Sequence, residues 1–446
     1  MLDRHSFGFW SWIAKRAFRA VFEGVDPSAA AKDIHDTFRE REVAAYIHVP
    51  FCTGTCLFCP YVRFPIQSRE EISKYVEALK REIAIYGDIL RDLGLKVIDV
   101  HMGGGTPSLL TGRQIRGILT CLAEYFDAEP KVAIEANPED LADESRVFDL
   151  VDGGVAEVSL GVQSFNPKTL KSLGRRHSVE DSLKSIENLR RAGVEYINID
   201  LMYMAPGQTY DEWIEDLRVA AEQDVDEITC YPTLITEFSI GYKLIRSGRL
   251  RQPDKQTFKR MVYAAEDLLS SSGFEPVEIY GYSRKRGWKY VTVNYEMEGP
   301  LIAFGCGGIG FTGGYEYQNV CSVPEYNSAT LEGRLPIAGA RYVDEIEGAI
   351  RYAVSRLFIC RQLDLAEFNS KFRKDFGKLV GKTGFGKALK ILKLLGYIKE
   401  SGGKIELTRK GLFTAHKICW AFVLNVPCRM VEKFLREPWP EKVAIP

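Results

Sequence analysis

The feature that most constrains the fold is a regular alternation of strand-like and helix-like segments across the first half of the chain. Short apolar runs predict strands over residues 43–49, 96–101, 131–135, 155–160, 195–201 and 226–233. Helical periodicity fills the intervals over about 69–93, 112–127, 178–192 and 209–223, with a further helix from about 139. Strands separated by helices of this length form parallel βα units, so about six units predict a whole or partial barrel. Functional groups in barrels lie at the C-terminal ends of the strands.

Three cysteines follow the first predicted strand. Cys52, Cys56 and Cys59 have the spacing C-x3-C-x2-C. Three thiolates on one short loop can hold three irons of a [4Fe–4S] cluster, which leaves the fourth iron open to a further ligand. The alternative is a structural zinc site, which needs four Cys or His ligands, and His48 is the nearby candidate for the fourth. The cluster is favoured because the rest of the chain supports it.

Further motifs occur where predicted strands end. Gly103-Gly104-Gly105-Thr106-Pro107 breaks the second strand and allows close backbone approach to a ligand, but it lacks the G-K-[ST] and G-x-G-x-x-G patterns of phosphate loops. Glu135 ends the next strand, and the segments 159–165 and 173–178 follow in turn. Asp200 lies inside an apolar run, where burial of a carboxylate is costly without a partner, so it is predicted to be a hydrogen-bonded site residue.

Together these motifs resemble one family. The cysteine loop, with Phe58 before the last cysteine, resembles that of radical S-adenosylmethionine (SAM) enzymes. The ordered set Y-I-H-V-P-F-C, G-G-G-T-P-S, E-A-N-P, G-V-Q-S-F, L-G-R-x-H-S and D-L-M-Y-x-x-P-G-Q-T resembles the oxygen-independent coproporphyrinogen III oxidase group, over roughly residues 43–410. That group also contains the heme chaperone and the anaerobic heme-degrading and other class C radical SAM methyltransferases.

The resemblance implies an α/β fold, an incomplete (β/α)6 barrel with a C-terminal winged-helix-like domain. It implies that Cys52, Cys56 and Cys59 bind a [4Fe–4S] cluster whose open iron chelates SAM, and that one electron cleaves SAM to a 5′-deoxyadenosyl radical. A second SAM often binds in such proteins. The positions that match the family's SAM contacts are Tyr46, Gly104, Gly105, Thr106, Glu135, Gln163, Arg175 and Asp200.

Departures from the family motifs bear on the reaction. Coproporphyrinogen oxidases have a fourth cysteine where this chain has Tyr61, and the stretch 290–299 lacks the H-N-x-x-Y-W segment of the heme chaperone. The glycine-dense loop 304–315 looks more like the heme-degrading methyltransferase branch. Either it forms turns that close the barrel mouth, or it lines a pocket for substrate or a second SAM; the candidates for that pocket are Cys306, Gly307, Gly308 and Tyr317. Cys306 is interpreted as a wall residue in preference to a mechanistic thiol.

The predicted reaction is therefore methyl transfer to an sp2 carbon of a flat, hydrophobic acceptor such as a tetrapyrrole or a quinone. A coproporphyrinogen-type oxidative decarboxylase and a heme chaperone are the alternatives. The family resemblance also implies an electron donor such as flavodoxin or ferredoxin. No catalytic residue beyond the cofactor ligands is predicted.

Five segments are predicted along the chain: an N-terminal helical extension (1–40), the radical SAM partial barrel (41–275), a glycine-rich capping segment (276–340), a winged-helix-like domain (341–412) and an apolar tail (413–446). In the extension, Trp10, Ile13, Ala14, Ala17, Phe18 and Val21 share one helical face near Arg4, Lys15, Arg16 and Arg19. Such a helix can lie on an anionic membrane, or it can dock on its own barrel, which is preferred.

Charge and composition exclude several classes. The 59 basic and 60 acidic residues leave a net charge of −1, which gives no electrostatic case for nucleic acid as the main partner. No apolar run reaches the ~20 residues that span a bilayer. The ten cysteines are mostly isolated and fit a reducing cytoplasm better than a disulfide framework. The predicted location is cytoplasmic, with peripheral membrane contact as a further expectation.

Overall fold

The computed structural model describes residues 4–431 except 19, 55, 60, 236–238 and 286–298. Arg19, most of the stretch 290–299 and residues 432–446 of the predicted tail lie outside the described residues.

One mixed β-sheet carries the fold, and two small sheets accompany it. The strands are β1 Glu42–Val49, β2 Phe51–Cys52, β3 Phe64–Pro65, β4 Lys96–Gly104, β5 Asp127–Ala128, β6 Val132–Ala136, β7 Val155–Gln163, β8 Tyr196–Tyr203, β9 Glu227–Pro232, β10 Glu275–Pro276, β11 Gly281–Ser283, β12 Leu301–Phe304, β13 Ile309–Phe311, β14 Tyr315–Asn319, β15 Ile337–Tyr342, β16 Gln362–Asp364, β17 Ile398–Ser401 and β18 Lys404–Leu407. The large sheet has the order β10-β11-β9-β8-β7-β6-β4-β1-β12-β13-β14-β15, with β5 beside β4.

The centre of the large sheet is parallel. Strands β1, β4, β6, β7, β8 and β9 pair in parallel with their neighbours, and β12 continues the parallel pairing on the other side of β1. Both edges are antiparallel: β11 and β10 extend one side, and β13, β14 and β15 extend the other. The two edge strands, β10 and β15, do not pair with each other among the described residues. This arrangement confirms the predicted α/β fold with an incomplete barrel.

Helices alternate with the strands along the chain. They are α1 Arg4–Ala17, α2 Pro27–Thr37, α3 Arg69–Leu90, α4 Gly112–Tyr125, α5 Pro138–Leu141, α6 Glu144–Asp152, α7 Pro167–Leu173, α8 Val179–Arg191, α9 Tyr210–Ala221, α10 Ile240–Arg246 and α11 Lys255–Ser271, followed by helices at Val323–Leu331, Glu345–Val354, Leu365–Phe372, Phe376–Leu379, Gly384–Leu394, Leu412–Cys419 and Val426–Met430. α3 begins where the Ser68 side chain accepts a hydrogen bond from the Glu71 amide. Its apolar face buries Ile72, Leu79 and Ile83 in the core. Within the described part of the chain, no helix is long and apolar enough to cross a membrane.

The region after residue 341 ends in the predicted wing but has more helices than the predicted helix–helix–wing order. Four helices, Glu345–Val354, Leu365–Phe372, Phe376–Leu379 and Gly384–Leu394, precede the hairpin of β17 and β18, which β16 joins to form a three-stranded sheet. The domain boundaries themselves stay predictions.

The N-terminal helix α1 packs on this C-terminal region. Trp10, Ile13, Ala14 and Ala17 are buried, and Phe18 meets Phe422 at 5.9 Å between ring centroids. The apolar face that the sequence assigned to a membrane or to the barrel is therefore covered by the chain's own C-terminal helices. Val21, which the pattern placed on the same face, is 61% exposed because the helix ends at Ala17.

Candidate active site

The cysteine loop opens into a cavity of about 300 Å³ at the C-terminal ends of the parallel strands. Cys52 ends β2, and Cys56 and Cys59 follow in the loop; all three are unbridged thiols that line this cavity. Burial raises the pKa of Cys52 to about 12 and raises that of Cys59. Thiols held in such a place become thiolates when a metal binds them, so the donor set fits an iron–sulfur cluster.

The zinc alternative lacks its fourth ligand. Among the described residues, no three Cys, His, Asp or Glu side chains are grouped to hold a single metal ion. His48 uses both ring nitrogens elsewhere: Nε2 lies 2.8 Å from the Val62 carbonyl oxygen and Nδ1 lies 3.1 Å from the Tyr46 hydroxyl. Both ring nitrogens of His48 therefore already have partners.

Two arginines support the cysteine loop. Arg175 donates to Cys56 Sγ at 3.2 Å, to Asn137 Oδ1 at 2.7 Å and to the Gly161 carbonyl at 3.0 Å. Burial opposes its charge, but Cys56 and Glu139 nearby raise the pKa of Arg175 overall. Arg63 donates to the carbonyls of Cys56 and Cys59 and so ties the loop together. Arg63 is not among the site residues predicted from the sequence, although its place four residues after the last cysteine was an available signal.

The glycine run lies beside the cysteines because β4 pairs with β1. Gly104 has φ +105°, and a Cβ there would lie 2.3 Å from His48 Cε1. A Cβ on Gly105 would lie 2.5 Å from the Phe51 carbonyl oxygen. Both positions therefore require glycine. Thr106 follows, and its hydroxyl lies 3.5 Å from Cys52 Sγ.

Glu135 holds the glycine run from the next strand. Its Oε2 accepts a hydrogen bond from the Gly104 amide at 3.2 Å, and Oε1 lies 3.5 Å from His101 Nε2. Burial opposes ionisation, but these two contacts lower the pKa of Glu135 overall. The cavity therefore contains a carboxylate that can accept hydrogen bonds from a cationic or amino-bearing ligand.

Asp200 and Gln163 complete this wall. Asp200 accepts hydrogen bonds from Ser159 at 3.2 Å and Asn198 at 2.9 Å, and burial together with the charge of Glu135 raises its pKa to about 7. Gln163 ends β7 with φ +66°, a backbone conformation that costs a non-glycine residue about 1–3 kcal/mol. Both side chains line the first cavity. Of the eight predicted SAM contacts, all but Tyr46 line it.

A second cavity of about 250 Å³ lies beside the first, and Tyr61 and Leu424 line both. Tyr46 lies in the second cavity, with its ring stacked 6.0 Å from His101. Most of the wall is apolar and comes from both ends of the chain, from the segment after the cysteine loop and from β12 and β13: Phe18, Phe22, Val62, Leu301, Ile309, Phe311, Phe422, Pro427 and Met430. Its polar lining includes His48, Glu316, Gln318, Arg341 and Arg351.

Of the four residues predicted for a substrate or second-SAM pocket, Gly307 lines the second cavity, and the other three line neither of these two cavities. Cys306 is fully buried in the core, where burial raises its thiol pKa well above the ordinary value. Gly308 donates its amide to the Gly305 carbonyl in a turn. Tyr317 is buried, and its hydroxyl accepts a hydrogen bond from the Ala303 amide at 3.2 Å.

A buried carboxylate organises the glycine-dense loop. Glu82 of α3 accepts hydrogen bonds from the Gly305 amide at 2.7 Å, Tyr326 at 2.6 Å and Asn319 at 2.6 Å. Burial raises its pKa to about 7. Glu82 is not among the residues predicted from the sequence, although a carboxylate between Leu79 and Ile83 on the apolar face of a helix was an available signal.

A family model and several curated proteins match this chain. The model of the radical SAM superfamily matches residues 46–220. This part of the chain is a radical SAM domain. Heme chaperone HemW from Lactococcus lactis is 28% identical over 391 residues, which cover 86% of this chain and 98% of that protein. Anaerobilin synthase from Escherichia coli O157:H7 is 24% identical over 90% of this chain and 89% of that protein.

A solved structure supports the same grouping at the level of the fold. Coproporphyrinogen III oxidase HemN from Escherichia coli superposes with a TM-score of 0.75 at 22% identity, covering 90% of this chain and 94% of that chain. These comparisons support the HemN-like group that the motifs predicted, and the cofactors are a [4Fe–4S] cluster and SAM.

Proposed function

We propose that this protein is a radical SAM enzyme that transfers a methyl group to a flat, hydrophobic acceptor, a tetrapyrrole or a quinone, bound in the second cavity. The observation that carries the proposal is the junction of the two cavities at Tyr61 and Leu424. An apolar acceptor there would lie next to the cofactor site, against a mostly apolar wall. Names of relatives such as heme chaperone and anaerobilin synthase support the tetrapyrrole.

Different residues would hold the cluster and SAM. Cys52, Cys56 and Cys59 would hold the cluster, and the first-cavity residues Gly104, Gly105, Thr106, Glu135, Gln163, Arg175 and Asp200 would hold SAM. The cofactor pair would supply a 5′-deoxyadenosyl radical when an electron donor such as flavodoxin or ferredoxin reduces the cluster. A second SAM molecule would supply the methyl group and leave as S-adenosylhomocysteine. Arg175 stabilises the thiolate of Cys56 through its hydrogen bond, and Glu135 keeps the Gly103–Gly105 backbone in place.

The test is anaerobic reconstitution with iron and sulfide, followed by addition of SAM, a strong reductant and protoporphyrin, heme or menaquinone. We expect 5′-deoxyadenosine, S-adenosylhomocysteine and a methylated acceptor. Cys52→Ala should lose cluster iron and both nucleoside products, whereas Cys121→Ala, on the half-buried side of α4, should retain them. If Cys52→Ala keeps its iron, the cluster assignment is wrong.

Two other outcomes would replace methyl transfer. Carbon dioxide release without S-adenosylhomocysteine would favour the decarboxylase. The HemW similarity gives the heme chaperone as the second candidate; stoichiometric heme binding without SAM consumption would favour it. Heme titration of the reconstituted protein, combined with measurement of SAM consumption, separates this candidate from both enzymes.

A further inference from the structure

The helix Gly384–Leu394 has an outer face that carries exposed lysines and large exposed aliphatic residues. Lys387, Lys390, Ile391 and Leu394 recur at helical spacing on that face, and Leu395 follows directly. Leu394 is 88% exposed, Ile391 53% and Leu395 49%. We call these five residues the lysine–leucine face.

The charged residues around this face are mostly basic. Residues 371–393 contain eight basic side chains and one acidic side chain, Asp375, in a protein whose net charge is −1. Lys371, Lys374 and Lys393 pair with carboxylates. Among the described residues, Lys387 and Lys390 make no ion pair. Their charge is therefore available to an anionic partner.

We propose that the lysine–leucine face docks on an anionic phospholipid surface. Basic residues around exposed aliphatic side chains match a lipid interface, where phosphate groups attract the lysines and the leucines enter the acyl boundary. Nucleic acid would satisfy the lysines but would leave Leu394 and Ile391 in water. The packed neighbour α1 adds exposed Phe9 and Trp12, with the Arg16 guanidinium 3.7 Å from the Trp12 ring centroid.

The docking face lies one layer from the second cavity. Phe385, on the inner side of the same helix, meets Phe422 at 5.6 Å between ring centroids, and Phe422 lines the cavity. A membrane-bound protein would thus hold its apolar cavity close to a lipid phase. The proposal rests on the surface alone and does not depend on the reaction proposed above.

The test is co-sedimentation of the full-length protein with vesicles made of equal parts phosphatidylcholine and phosphatidylglycerol, and with vesicles of phosphatidylcholine alone. We expect binding to the anionic vesicles, and loss of binding at high salt because surface charges are screened. Lys387→Gln with Lys390→Gln should weaken the apparent affinity by about 25-fold, since each lysine near such a surface contributes about fivefold. Leu394→Gln should weaken it by about tenfold.

Matched controls change the same residue types elsewhere on the surface. Leu331→Gln replaces a leucine that is 58% exposed, and Lys74→Gln with Lys184→Gln removes two exposed lysines; all should bind vesicles like the parent protein. Circular dichroism and cluster iron content check that each variant is folded. The proposal is overturned if the parent protein does not sediment, if controls and face variants lose binding equally, or if the face variants lose duplex DNA binding or self-association but not vesicle binding.

Discussion

We predict that the buried carboxylate of Glu82 makes the stability of the protein depend on pH. Its carboxylate is buried in the core, and its pKa rises to about 7 from the usual 4.5 because burial disfavours the charged form. The folded state therefore binds the proton more tightly than the unfolded state does. The free energy of unfolding that Glu82 contributes is highest below pH 4.5 and falls as the pH rises through 7.

The size of the effect follows from those two values. Their difference corresponds to about 3 kcal/mol, of which about 2 kcal/mol is lost between about pH 5.5 and about pH 8. The chain has 446 residues, and the unfolding entropy is about 2.1 cal/mol/K per residue. A loss of about 2 kcal/mol therefore lowers the melting temperature by about 2 °C.

The assay is differential scanning calorimetry of the parent protein and Glu82→Gln at a series of pH values. The variant removes the titration and keeps the side-chain shape, so other titrating groups cancel in the difference between the two proteins. We expect the melting temperature of the parent minus that of the variant to fall by about 2 °C from about pH 5.5 to about pH 8. Glu77→Gln, on the exposed side of the same helix, is the matched control. A Glu82→Gln difference that is constant or grows with pH would refute the reasoning.

Two further predictions concern the cofactor site. Arg175→Met removes the hydrogen bond to Cys56 Sγ and a positive charge beside the cluster. The midpoint potential of the cluster should therefore fall, by about 60 mV for each 1.4 kcal/mol of lost interaction, in a redox titration followed by electron paramagnetic resonance. An unchanged or higher potential would contradict this role. Asp200 has a pKa of about 7 because it is buried near Glu135, so if its carboxylate accepts a hydrogen bond from SAM, the dissociation constant for SAM should rise as the pH falls below 7. Asp200→Asn should make that constant independent of pH over the same range, as equilibrium dialysis would show, whereas a pH dependence that survives in the variant would assign it to another group.

The strand-end motifs could be predicted to share one site because parallel strands present their C-terminal ends at the same edge of a sheet. Glu135, Gln163 and Asp200 lie in different strands of the sequence, yet all three line the first cavity. This prediction did not require knowledge of which side chains are in contact. The order of strands and the position of each residue within its strand were sufficient.

The residues that line the second cavity were harder to predict. Glu316 and Gln318 face the second cavity, so Tyr317 between them points to the opposite side of the strand. A two-residue period in β14 would have given that orientation. Cys306 lies in a turn that has no such period, and its burial depends on α3, more than two hundred residues earlier in the chain.

The sequence by itself determined the cofactor chemistry and the partial barrel, because cysteine spacing is local and the βα alternation repeats along the chain. Only the tertiary structure decided what surrounds the cofactor site. The second cavity joins the N-terminal residue Phe18, the loop residue Tyr61 and the C-terminal residue Leu424, and Glu82 joins α3 to the loop after β12. These contacts arise from packing between segments that are distant in sequence, where no local periodicity or spacing records which side chains will meet.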